Sequence, residues 1–265
     1  MPSRFACEPA LPRRGLFVLA GGAALCACGP QHAIPAVDAG SIAAAQRSIG
    51  AAAPLRRTDR SREEEVAMLR RVGSRVAGAN DALCREYGRP GCAFRIGLST
   101  AEEPNAFATD TDVVGVTSGM IDLVANDAEL AAVVAHEFGH HLARHVQRAG
   151  TRTQLGGLAG ALLGGYLGGD ALAQAGAQLG GGAARLAYSQ AEEREADYLA
   201  AFLVARAGYD LDQAGRIWVR LAQLAGRSDR PGLLRTHPTG PERLAAWQRT
   251  VAEIGSNPSA APRRA

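Results

Sequence analysis

Residues 135–145 read AHEFGHHLARH. Four histidines crowded into one apolar stretch constrain the chain more than any other feature, because polar rings entering a core need partners there. His136 and His140 are four apart, so on a helix they share one face, about a turn apart. Both imidazoles can then reach one tetrahedral ion. Glu137 sits beside the first of them, where its carboxylate faces a water on the metal instead of the metal itself, the HExxH arrangement. His141 and His145 repeat the spacing on a face rotated by about 100°. Leu142 follows His141 where a base is needed, so this second pair is read as structural or as support for a ligand.

A second acidic cluster lies downstream in YSQAEEREADYLA, residues 188–200. Glu192, Glu193 and Glu195 are candidate third ligands, and Asp197 is near. A carboxylate from a second helix completes a three-ligand site with water in the fourth position. Spacing does not choose among the glutamates. Glu193 and Asp197 are four apart, which suits one for the metal and the other for orienting a ligand histidine.

HEFGH, YSQAEEREAD and THPTGPER, in this order, resemble the M48 family of zinc metallopeptidases, whose pattern is HExxH, then ExxxD, then His-Pro with Arg six positions after the His. The resemblance covers roughly residues 60–250. It implies one zinc ion held by His136, His140 and Glu193, with Glu137 as general base and Asp197 orienting a ligand. It also implies that PNAFAT is an edge strand on which Asn105, Ala106 and Phe107 receive an extended peptide. His237 and Arg243 match the third motif and are expected near the cleft as part of the catalytic apparatus. There His237 would stabilise an oxyanion or cap the zinc in a resting state. Tyr188 is read as packing. Some family members carry a C-terminal helical-repeat domain. The chain has no such repeat before it ends at Ala265, so docking through one is not expected.

The fold expected is α+β and mainly helical, a zincin-like metallopeptidase domain with a small sheet before the HExxH helix. Ser61 and Glu64 form a capping box that opens a helix carrying Val66, Leu69, Val72, Val76 and Leu83 on one stripe. Short β-like runs follow at 92–100, 105–109 and 113–117. Asn126 and Glu129 cap the histidine helix, and Gly150 is its expected stop. Residues 151–187 are an insertion rich in Gly and Ala. Gly156, Gly160, Gly164 and Gly168 recur every four residues, as in a closely packed helical hairpin; a surface loop is the competing reading. Further helices are expected at about 191–207 and 211–225, and after THPTGPER.

The first residues look like an export signal. Arg13 and Arg14 precede the apolar run GLFVLAGGAAL, and LCAC then resembles the lipobox of bacterial lipoproteins, which makes Cys28 the lipidated residue. Residues 1–27 are thus read as signal peptide, 28–59 as a tether rich in small residues, and 251–265 as a flexible tail. Gly29 after the lipobox favours an outer-membrane anchor facing the periplasm. In that oxidising compartment Cys84 and Cys92 read as a short disulfide loop. The formal charge is only +3, with no basic stripe interleaved with aromatics, so nucleic acid is not an expected partner. The expected function is a zinc-dependent endopeptidase of the bacterial envelope. It would act on protein and peptide substrates in quality control of misfolded or unassembled proteins, with membrane contact through the lipid and with envelope assembly partners. The alternative is a non-catalytic zinc lipoprotein serving as chaperone or scaffold.

Overall fold

The computed structural model describes residues 30–87, 92–109, 113–185 (backbone alone from 180), 188–226, 233–255, 257 and 259–265. The signal segment and Cys28 lie outside the described residues. Helix α1 spans Ala39–Ala51 and α2 spans Arg62–Glu86; strands β1 (Arg95–Ser99), β2 (Ala106–Ala108) and β3 (Val113–Thr117) follow. Then come α3 (Ser118–Leu123), α4 (Asp127–Leu142), α5 (His145–Gly168), α6 (Asp170–Arg185), α7 (Gln190–Arg206), α8 (Leu211–Ala225), α9 (Leu233–Thr236) and α10 (Pro241–Ile254).

Helix α2 begins where its capping box predicts: the Ser61 hydroxyl accepts from Glu64 N–H at 3.3 Å and Glu64 accepts from Ser61 N–H at 2.8 Å. Its buried stripe is Met68, Leu69, Val72, Val76 and Leu83, with Val66 turned outward. At its end Cys84 is disulfide-bonded to Cys92. The sheet has the order β1-β3-β2, with β1 parallel and β2 antiparallel to β3. β2 is therefore an edge. Thr117 N–H donates to Asn105 C=O and Thr109 N–H to Val113 C=O. By the period of two, Ala106 and Ala108 turn their backbone polar groups outward.

Helix α4 is apolar nearly all round and lies buried along almost its whole length, as a central helix should. It crosses α7 at Gly139, where a β-carbon would stand 2.6 Å from the Ala196 carbonyl oxygen and 3.0 Å from the Ala196 Cα. Only glycine lets the two backbones come this close, and the contact brings the polar residues of both helices together.

Three expectations are corrected. The histidine helix does not run to Gly150: it ends at Leu142, turns at Arg144 with φ 59°, and restarts as α5. That break swings His145 back beneath His140. The segment read as a tether is docked: Asp38 caps α1 through the Ser41 N–H at 2.7 Å, Ala45 is fully buried, and α1 packs on α10 and α8. The tail is docked too. Ala33 N–H donates to Arg263 C=O at 2.9 Å and Ala265 N–H to Gln31 C=O at 3.0 Å. Small residues gave no periodic signal here, because what buries them is distant in sequence.

Helices α5 and α6 form an antiparallel hairpin. β-carbons at Gly164 and Gly176 would overlap the carbonyl oxygens of Leu172 and Gly160, at 2.0 and 2.1 Å, so small residues set this contact. Leu158, Leu162, Leu163, Tyr166 and Leu167 of α5 are exposed. No helix among the described residues is long and apolar enough to cross a membrane.

Gly139→Val should force α4 and α7 apart and lower folding stability by about 1–3 kcal/mol, the usual cost of overpacking. A urea midpoint equal to that of the parent protein would contradict the close-crossing account.

Candidate metal centre and cleft

Helix α4 presents His136, Glu137 and His140; α7 presents Glu193 and Asp197. The turn between α9 and α10 presents His237, and α10 presents Arg243. All seven side chains are buried. Potential ligand atoms of His136, His140, Glu193 and His237 all lie within 4.8 Å of one another. His136 Nε2 is 3.0 Å from His140 Nε2 and 3.5 Å from Glu193 Oε2, and His140 Nε2 is 3.4 Å from Glu193 Oε1. His237 Nδ1 stands 3.3 Å from His136 Nε2 and 3.0 Å from Glu193 Oε1. Donors around a tetrahedral zinc with ordinary bond lengths are about 3.3 Å apart.

The donor chemistry also fits a divalent ion. Glu137, Glu193 and Asp197 are three buried carboxyl groups facing one guanidinium, Arg243, which leaves a formal deficit of two positive charges when the imidazoles are neutral, as metal ligands must be. Glu137 Oε2 is buried with no hydrogen-bond partner, and its other oxygen is 3.9 Å from His237 Nε2. Two or three imidazoles with one carboxylate at this spacing suit zinc.

Rotation of α7 resolves the choice among its acids. Glu192 caps the helix at Ser189 and pairs with Arg152 at 2.7 Å. Glu193 faces the histidines. Glu195 turns the other way, to His145 Nε2 at 3.0 Å and His32 Nδ1 at 2.8 Å. Asp197 accepts from His136 Nδ1 at 2.8 Å, which leaves Nε2 of that ring for a metal. Arg243 grips Asp197 through Nε at 2.8 Å and Nη2 at 2.7 Å, lies 2.8 Å from Glu193 through Nη1, and stacks over Trp218. Arg243, expected near the cleft with the catalytic groups, is engaged by both carboxylates. His141 packs its ring on Phe94 at 4.3 Å, and Tyr188 stacks on His140 at 3.9 Å.

Electrostatics follow from this crowding. Burial opposes a charge on His136, but Glu193 and Asp197 outweigh it and push its pKa up to about 9. Burial dominates at His140, held well below the usual range and so neutral. Burial also opposes charge on Glu193 and Asp197, yet His237 and Arg243 for the first and Arg243 for the second keep both below the ordinary carboxylate range. Glu195 is likewise lowered to about 2, with His145 and His32 outweighing its burial.

A cleft of about 600 Å³ opens beside the cluster, lined by Phe107, Ala108 and Thr109 of the β2 edge, by Val146 and Thr153 of α5, and by Tyr188 and Thr236. Phe107 is 41% exposed and reaches into this space. Ala106 lies with Glu137 and His237 around a small adjoining cavity. Sequence reasoning missed His32, which no local pattern could have linked to Glu195 across so much chain.

A helix-borne donor set closed by a second helix and flanked by an edge strand defines a zincin-like metallopeptidase. Within that class the chain belongs to peptidase family M48, whose family model matches residues 64–251. It is similar to the mitochondrial metalloendopeptidase OMA1 of Saccharomyces cerevisiae, 32% identical over 159 residues, which are 57% of this chain and 45% of that protein. The Arabidopsis thaliana protein of the same name is 34% identical over 140 residues, 52% of this chain and 28% of the relative. That of Schizosaccharomyces pombe is 30% identical over 151 residues, 57% and 44%. The chain spans less than half the length of these curated relatives.

In the metal-free protein His136 holds its proton up to about pH 9, and a metal must displace it. Zinc uptake at pH 7.5 should release about one proton, and affinity should climb with pH towards that value. Calorimetry in buffers of differing ionisation enthalpy measures this; no proton release would contradict the assigned contacts of His136.

Proposed function

We propose that the protein is a zinc-dependent endopeptidase of the bacterial cell envelope, acting on misfolded or unassembled proteins. The observation that carries the hydrolytic reading is the buried, unpartnered Oε2 of Glu137 beside the His136, His140 and Glu193 donors. A carboxylate oxygen buried without a partner is costly unless something is meant to meet it. When bound, zinc supplies Lewis acidity at the scissile carbonyl and to the attacking water.

The chain's own groups do the rest. The outward N–H and C=O groups of Ala106 and Ala108 take an extended peptide by strand addition, with Asn105 and Phe107 at its sides. Glu137 accepts the proton of the attacking water and returns it to the leaving amine, so no covalent acyl-enzyme is needed. Asp197, held by Arg243, fixes the ring of His136.

The envelope setting is supported by the lipobox-like LCAC and by the disulfide between Cys84 and Cys92, a bond of oxidising compartments. The exposed leucines of the α5–α6 hairpin suit a protein held close to a bilayer through lipid on Cys28. The named relatives are mitochondrial; the outer membrane is read here from Gly29, which follows the lipobox-like segment. Glu137→Gln should lower casein-type proteolysis by at least about 10²-fold with zinc content unchanged. Near-parent turnover would remove Glu137 as the base.

A second reading has its own observation. His237 Nδ1 stands within the donor cluster, and a fourth protein ligand closes a zinc site as in structural centres. In a latent protease this closure is temporary, and His237→Ala should raise the basal rate. In a scaffold it is permanent: His237→Ala stays inactive, and Glu137→Gln rescues a deletion strain as well as the parent gene does.

A further inference from the structure

Three buried polar residues take no part in holding metal or peptide in the reading above: His32, His145 and Glu195. They form one hydrogen-bonded chain leading away from His140. His140 turns Nε2 to the donor cluster, so its Nδ1 carries the proton. His145 Nδ1 lies 2.9 Å away and accepts it. His145 Nε2 then carries a hydrogen and donates to Glu195 Oε2 at 3.0 Å. Arg148 stands 3.5 Å from that same oxygen. Glu195 Oε1 accepts from the Gln31 backbone N–H at 2.6 Å and from His32 Nδ1 at 2.8 Å. His32 Nε2 accepts from the Tyr87 hydroxyl at 3.0 Å. One tautomer per ring satisfies every bond in the series.

A hydrogen-bond acceptor on the far nitrogen of a ligand imidazole fixes the ring and raises the basicity of the nitrogen that binds. His136 has the direct form of this support, with Asp197 from α7 on its Nδ1. His140 has an extended form, in which the carboxylate is one imidazole further out. The two supports differ in what holds them. Asp197 is gripped by Arg243 inside the domain. Glu195 is held by residues 31 and 32, on a segment that is itself paired with residues 263–265.

We propose that His32, acting through Glu195 and His145, is a positioning residue for His140, so that docking of the N-terminal segment sets how tightly the site holds its zinc. The proposal rests on the zinc-ligand reading of His136, His140 and Glu193. Residue 32 follows closely on Cys28, so the end of the chain expected to carry lipid reaches the metal centre through four side chains.

The test uses the complete chain purified in detergent. Zinc affinity is read by competition with a chromophoric chelator, the coordination sphere by the visible bands of the cobalt-substituted protein, and folding by thermal unfolding of the metal-free form. His145→Phe removes the acceptor and should weaken zinc about 10- to 100-fold; His32→Ala should weaken it about 10-fold. Both should shift the cobalt bands. His32→Gln, whose amide still donates to Glu195, should recover most of the affinity. If His32→Ala proves too unstable to purify, His145→Phe and Tyr87→Phe carry the comparison. Affinities within twofold of the parent and unchanged cobalt bands would overturn the proposal, even with a lowered unfolding midpoint. Parent protein that binds no stoichiometric zinc, or His136→Ala that binds it equally well, would instead overturn the site reading beneath it.

Discussion

The approach of α4 to α7 at Gly139 is the constraint on which the rest of the site depends. A histidine pair on one helix supplies two donors by local geometry alone, but the third must come from elsewhere at a fixed distance. With no side chain at Gly139, the Ala196 backbone lies against α4. Glu193, about one turn before that contact, and Asp197, the residue directly after it, then meet His140 and His136. Burying so many carboxylates costs several kcal/mol for each unpaired ion. Arg243 offsets part of this by binding two of them at once from α10. The remaining imbalance is what a divalent ion removes.

This division explains what could be read from the sequence. His136, Glu137 and His140 were legible because their relation is set by helical repeat alone. The helices themselves were legible where caps mark them, as at Ser61 and Asn126. Glu193 could not be separated from Glu192 and Glu195 by spacing, because the rotation of α7 is fixed by its packing on α4. The family resemblance chose the glutamate that the geometry puts with the histidines. Composition misjudged both ends of the domain. Residues 28–59 look like a linker because they are small and aperiodic, yet Ala45 and His32 are buried, His32 against Glu195 from far along the chain.

Arg144 shows a further kind of information that local patterns hide. It is the one non-glycine residue with positive φ among the described residues. That conformation costs roughly 1–2 kcal/mol, and Gly150 lies only six residues further on. A stop at Gly150 would have carried His145 onward with the face of α4, away from His140. The turn at Arg144 places the His145 ring where it accepts from His140 and donates to Glu195. A strained backbone position next to a metal site is thus tied to a specific contact rather than to the end of a helix.

The cleft and the metal cluster are linked by chain continuity as well as by proximity. Thr236 lines the cleft opposite the β2 edge, and its carbonyl accepts from the Tyr188 N–H at 3.1 Å. The next residue is His237, whose ring closes the donor cluster. In the latent reading, a peptide laid along Ala106 and Ala108 fills the space that Thr236 borders. Any displacement of that wall moves the adjoining backbone, and His237 is its first side chain. Pro238 and Pro241 stiffen the turn that follows, and α10 anchors it through Arg243. On the latent reading proposed above, substrate entry and the opening of a coordination position are one event, driven by binding at the edge strand rather than by a separate signal.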